Sequence, residues 1–170
     1  MTVDIGLPQS WYFFGSLLDA GVRESVVGRA VPDDACVKAV LDGYKRVRVA
    51  EESYPALVAC PGSSVDGILV TGLSAEETFR VMWFEGDEYA PEQVNLRLPT
   101  GEITQAHTFL AAPDLPLTSE AWHYERWARA ELAHYLPMTR EWMSGYGEHD
   151  FAEQDAIWRA AQDPLLQAKS

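Results

Sequence analysis

The chain has 170 residues, with 13 Lys and Arg against 26 Asp and Glu, a formal net charge of −13. Apolar residues make up 47% and charged residues 23%, the balance of one globular domain with a sizeable core. A surface this acidic has the wrong sign for phosphate backbones and anionic headgroups, so neither nucleic acid nor a membrane is an expected partner.

The first ten residues, with Gly6 and Pro8, read as a lead-in. They lack a positive stretch followed by an apolar one, and no run approaches the ~18 apolar residues of a membrane helix, so the cytoplasm is the expected compartment. Trp11-Tyr12-Phe13-Phe14 has strand character. It stops at Gly15-Ser16-Leu17-Leu18. Asp19 then caps a short helix in which Val22, Val26 and Val27 share a face and which Gly28 ends. A strand, a glycine loop and a helix start in that order offer unpaired backbone N–H groups to an oxyanion or carboxylate, although a strand followed by Gly-Ser is more often a plain turn.

Residues 36–41 and 44–49 read as two strands joined by a turn at Asp42-Gly43, and 56–60 and 65–71 as two more, joined at Pro61-Gly62. Tyr54-Pro55 leads into the second pair and favours extended backbone at Tyr54. Cys36 and Cys60 lie in these apolar runs and read as buried free thiols. Ser74 followed by Glu77 is a capping box that opens a helix, with Phe79, Met82 and Trp83 on one face and Gly86 as the stop. Glu85 therefore stands in the last turn. There the negative end of the helix dipole, together with Trp83 and Phe84, disfavours a charged carboxylate, the condition a general base near neutral pH requires. From these residues alone a solvated carboxylate at a helix end is the commoner meaning.

Residues 94–98 and 103–109 form a hairpin through Pro99-Thr100-Gly101. Short strands with turn signals and only two small helices among them point to a closed or nearly closed sheet, not a doubly wound parallel one. Pro113 and Pro116 end this body, which spans 11–117 after the lead-in at 1–10. The remainder, 118–170, is helical. Residues 122–143 carry Tyr124, Trp127, Ala128, Leu132, Tyr135 and Leu136 on one side, with Pro137 expected to end or kink the helix, and 151–161 form a weaker amphipathic segment. This Trp-rich extension is expected to pack on the barrel or on a second subunit in a homodimer. The four histidines make no ligand pair on a helical face and no Cys/His cluster has zinc spacing, so neither metal nor cofactor is expected.

Four segments, in order, resemble the gamma-glutamylcyclotransferase-like family, which includes the plant avirulence-induced-protein-like domains. They are Phe14-Gly15-Ser16-Leu17, where the family marker is Tyr-Gly-Ser/Thr-Leu; Tyr54-Pro55-Ala56-Leu57-Val58; Val65-Asp66-Gly67-Ile68-Leu69 with Leu73-Ser74; and Phe84-Glu85-Gly86-Asp87-Glu88-Tyr89. The resemblance implies an α+β fold, a small mixed β-barrel with flanking helices, here with a helical C-terminal extension. It also implies a site between the Gly-Ser-Leu loop and Glu85 that converts a small γ-glutamyl amine or amino acid to 5-oxoproline and free amine. The α-amino group of such a substrate attacks its own γ-carbonyl, so the protein needs no nucleophile and must hold the molecule folded for ring closure. Glu85 would move the protons, amides around Gly15, Ser16 and Leu17 would hold substrate oxygens, and Tyr89 and Tyr54 would line the pocket. Phe14 lacks the hydroxyl of the family marker, and Ala90-Pro91 stands where relatives often carry Arg. Two other functions fit the same residues: a non-catalytic domain that binds a small carboxylate or a partner protein, and an amidase that uses water and releases glutamate.

Overall fold

Strand β1 (Trp11–Phe13) is buried on both faces, which makes it the centre of the fold. The computed structural model describes residues 10–86 and 89–162. Strand alternation sends Tyr12 to one side of β1 and Trp11 and Phe13 to the other. β1 pairs antiparallel with β3 (Pro55–Val70) and parallel with β5 (Ile103–Ala111). From β5 the ladder continues through β4 (Tyr89–Arg97) to β2 (Cys36–Val49) and returns to β3, closing a five-stranded mixed barrel. A sixth strand, β6 (Leu117–Ala121), adds to β2. The expected barrel is thus present.

Tyr12, Phe14, Leu41, Leu57 and Leu96 fill the barrel interior. The Tyr12 hydroxyl donates to Val65 O at 2.7 Å, as a buried phenol must, and burial pushes its pKa well above the ordinary value. Outside the barrel, Trp11 stacks on Phe109 with centroids 4.5 Å apart, beneath a layer of helices. The first of these is α1 (Ala20–Val27), capped by the Asp19 carboxylate, which accepts from Val22 N at 2.9 Å, and ended by Gly28 at φ +95°. The second is α2 (Ala75–Glu85), whose Ser74–Glu77 capping box has both reciprocal bonds.

Several expectations need correction. β2 and β3 form one long hairpin, not two short ones. Their register jumps from Asp42↔Ser64 to Tyr44↔Ala59, so Gly43 faces residues 60–63. Turn residues placed at one height in two paired strands bulge the ladder instead of reversing the chain. Cys60 sits at this bulge and Cys36 at a strand end, so both free thiols are only half-buried. β6 was not expected, because Pro113 and Pro116 precede it. On α2 the core face is Thr78 and Val81; Phe79 is 43% exposed. The apolar stripe is instead shared, since Trp83 turns to the C-terminal helices, lying 5.8 Å from the Trp142 ring and 5.5 Å from Tyr146. α3 (Tyr124–Met143) continues through Pro137. Pro137 and Ala133 are both exposed, so the Ala133 carbonyl that loses its donor faces solvent.

After α3 comes α4 (Phe151–Gln162). Trp142 meets Phe151 and Trp158 edge-on, and Trp83 Nε1 donates to His149 O at 3.1 Å. The Phe151 ring lies directly over Gly86, in space that any Cβ there would occupy. No helix among the described residues is long and apolar enough to cross a membrane.

Candidate active site

β1 runs out through Phe14 and Gly15 into a 3-10 turn, Ser16–Leu18, and then into the Asp19 cap of α1. The carbonyls of this loop are engaged in succession. Phe14 O accepts from Arg46 Nη1 at 2.8 Å, Gly15 O from Leu18 N at 3.0 Å and Ser16 O from Asp19 N at 3.1 Å. Leu17 O and Leu18 O accept from Arg23 Nη1 at 3.0 and 3.1 Å. In a trans peptide plane the N–H lies opposite the C=O, so the amides of Gly15, Ser16 and Leu17 point away from these partners. As the first groups of a helical turn they also have no acceptor within it. Among the described residues these amides have no backbone acceptor.

The loop glycine fixes what lies beside it. A Cβ on Gly15 would meet the Pro55 ring at 3.0 Å, so the start of β3 rests on the bare backbone there. Tyr89, at the start of β4, donates from its hydroxyl to Pro55 O at 3.3 Å, and its ring centroid is 6.5 Å from that of Tyr54. Both tyrosines are thereby placed against the loop through Pro55.

Glu85 is the last residue of α2 and is half-buried, and the Gly86 N–H closes the helix onto Met82 O. Its connection to the loop runs through Tyr135 of α3. The Tyr135 hydroxyl donates to Ser16 Oγ at 3.3 Å. Burial pushes the Tyr135 phenol well above its ordinary pKa; the Ser16 bond pulls the other way, and the charges of Glu85 and Glu52 push further up. The charge of Glu85 therefore acts on the same hydroxyl that bonds the Ser16 turn.

Gly15 is joined to Tyr54 and Tyr89 through Pro55, and Ser16 is joined to Tyr135, on which the charge of Glu85 acts. Two other expected site residues contribute backbone rather than side chain. Phe14 turns into the barrel interior, 6.3 Å from Tyr12, and Leu17 packs among the core residues under the helices. Asp87 and Glu88 lie outside the described residues. Sequence reading missed Arg23, Arg46 and Tyr135. Arg23 carries a visible signal, a charge spaced to share a face with Val26 and Val27; it is 7% exposed. Tyr135 resembled any other aromatic on an apolar helix face, and only the fold sets it against Ser16.

Two surface grooves flank the cluster. One of about 510 Å³ runs past Gly86 and Tyr89 between Phe79, Trp83 and Phe151. The other, of about 550 Å³, lies beside Ser53 and Glu52 against Trp122 and Trp127. Neither is lined by Gly15, Ser16 or Glu85, so we place the site by its donors and carboxylate, not by groove size.

A closed mixed barrel under a layer of helices, its central strand leaving through a glycine-serine turn, is the gamma-glutamylcyclotransferase-like fold. The chain belongs to the gamma-glutamyl cyclotransferase, AIG2-like family, whose profile matches residues 11–129. Among its relatives, AIG2-like protein B of Arabidopsis thaliana is 27% identical over 150 residues, covering 83% of this chain and 85% of the relative. Protein AIG2 C of Arabidopsis thaliana is 29% identical over 124 residues, covering 71% of this chain and 73% of the relative. In fold, the chain is similar to a protein from Arabidopsis thaliana solved in solution, with a TM-score of 0.59 at 22% identity, covering 88% of this chain and 89% of that one. A solved gamma-glutamyl cyclotransferase superposes with a TM-score of 0.50 at 10% identity, covering 77% and 85% of the two chains.

Proposed function

We propose that this protein is a cyclotransferase that releases 5-oxoproline and a free amine from a small γ-glutamyl amine or amino acid, with Glu85 as general base and then general acid. The observation that carries the reading is the meeting of two segments distant in sequence. Tyr135 is bonded to Ser16 in the loop and sits in the field of Glu85.

In this mechanism the substrate α-ammonium gives a proton to Glu85. The freed nitrogen attacks the γ-carbon, and a five-membered ring closes. The carbonyl oxygen takes up the negative charge as the tetrahedral carbon forms. Amides of Gly15, Ser16 and Leu17 supply donors for that oxyanion or for the α-carboxylate. Glu85 then returns that proton to the departing nitrogen, the C–N bond breaks without consuming water, and the ring nitrogen gives up its extra proton to the released amine, leaving the lactam. Holding nucleophile and carbonyl in contact supplies much of the rate. Tyr54 and Tyr89 wall the pocket.

The test is a product assay. Incubated with a panel of γ-glutamyl amines and amino acids, the wild type should release 5-oxoproline, read by mass spectrometry. Glu85→Gln should lower the rate about 10²–10⁴-fold with an unchanged circular dichroism spectrum. A fully active Glu85→Gln protein refutes the role of Glu85. Glutamate instead of 5-oxoproline identifies a water-using amidase.

A further inference from the structure

We infer that Tyr135 is a positioning residue of this same site, donating to Ser16 so that the Ser16 hydroxyl must direct its own proton to the substrate. The inference rests on the cyclotransferase reading above and adds to it a residue beyond the 11–129 family match. Ser16 is buried, at 8% exposed, so its hydroxyl has few partners within reach. A hydroxyl carries one donor and two acceptor lone pairs. The Tyr135 proton occupies one lone pair at 3.3 Å, which leaves the Ser16 proton for an acceptor on the open side of the turn. A substrate carboxylate or oxyanion held by the neighbouring amides is that acceptor.

A neutral phenol and a neutral hydroxyl can each donate, and in this structure the phenol is the donor. An ionised phenolate would accept from Ser16 and turn the chain around. Burial, with the nearby carboxylates of Glu85 and Glu52, pushes the Tyr135 phenol above its ordinary value, so it keeps a proton to give at any pH where Glu85 can act. The ring is also held in place. It stands edge-on to Trp127 at 5.1 Å, and Trp127 Nε1 in turn donates to Ser53 Oγ at 3.4 Å. Thr139 Oγ1 donates back to the Tyr135 carbonyl at 3.0 Å, and Leu136 closes against Gly21 of α1. An aromatic ring so fixed positions its hydroxyl at little entropic cost.

The experiment is a double-mutant cycle of Tyr135→Phe and Ser16→Ala, read twice: as kcat and KM for 5-oxoproline release, and as 5-oxoproline affinity by calorimetry. Phe keeps the ring and its packing, so Tyr135→Phe should unfold at the wild-type temperature while kcat/KM falls about 3- to 10-fold, the worth of one hydrogen bond. The double variant should match Ser16→Ala alone, because without the serine hydroxyl the phenol has nothing to orient. Losses that multiply in the double variant, or a Tyr135→Phe protein as active as wild type, overturn the inference and leave the cyclotransferase reading standing. A wild type that binds 5-oxoproline without turnover overturns the reading, while the affinity cycle still decides the relay. A wild type that neither turns over nor binds overturns both.

Discussion

Replacing Gly86 by alanine separates two costs that the fold has combined at one residue. Gly86 has φ +68° and ψ −159°, a region that is essentially glycine-only and costs an L-residue about 1–3 kcal/mol. An alanine Cβ would also fall within the Phe151 ring, against a normal carbon–carbon contact of about 3.5–4.0 Å. Forcing that ring aside is overpacking, worth about 1–3 kcal/mol. Gly86→Ala should therefore lose about 2–6 kcal/mol, which in a domain of this size lowers Tm by roughly 4–24 °C. Urea unfolding of Gly86→Ala, Phe151→Ala and the double variant assigns the parts. With the ring removed, only the backbone cost should remain, so the coupling between the two substitutions should be about 1–3 kcal/mol. Coupling below about 0.5 kcal/mol would show that Phe151 does not rest on Gly86, and the docking of α4 described above would be wrong.

In Gly15→Ala the new methyl presses on Pro55 at 3.0 Å and so displaces Tyr54 and Tyr89. It should cost about 1–3 kcal/mol in urea unfolding and lower kcat/KM at least tenfold; wild-type kinetics would detach these tyrosines from the site. Glu77 offers a pH test. Partial burial pushes its carboxyl up, but hydrogen bonds from Arg29 and Ser74 outweigh this and hold it below the usual range. A depressed folded pKa gives stability that is complete above the unfolded value and lost as pH falls through the folded one. The gap in Tm between wild type and Glu77→Gln, which keeps the cap but not the charge, should be widest near neutrality and close below pH ~4.5. A gap that is flat with pH would contradict the assigned pairing.

The readable parts of this chain were those written locally. Asp19 and Ser74 are caps whose partners lie a few residues away, so the starts of α1 and α2 could be placed from neighbours alone. The aromatic run at β1 announced a strand, and the structure buries it on both faces. The bulge at Gly43 was not readable, because Gly43 and Pro61-Gly62 look like two turns until β2 and β3 are known to pair along their whole length. β6 was hidden because its reason for existing is the free edge of β2, not its own sequence. The same holds at the site. Glu85 and Gly15-Ser16-Leu17 stand in recognisable local patterns, whereas Arg23, Arg46 and Tyr135 act on the loop from α1, β2 and α3, and no local pattern states where those elements meet.

The bond from Tyr135 to Ser16 spans 119 positions of sequence. At about 5–20 residues per second, roughly 6 to 24 seconds of synthesis separate the two ends of the site. β1 waits almost as long for β5, its parallel partner, with Trp11 and Phe13 lacking Phe109 throughout. The nascent chain therefore holds its aromatic core strand with β3 on one edge and the β5 edge open until residue 107 is made, a period in which a chaperone has something to bind. It also means that no nascent chain ending before Tyr135 holds both ends of this bond.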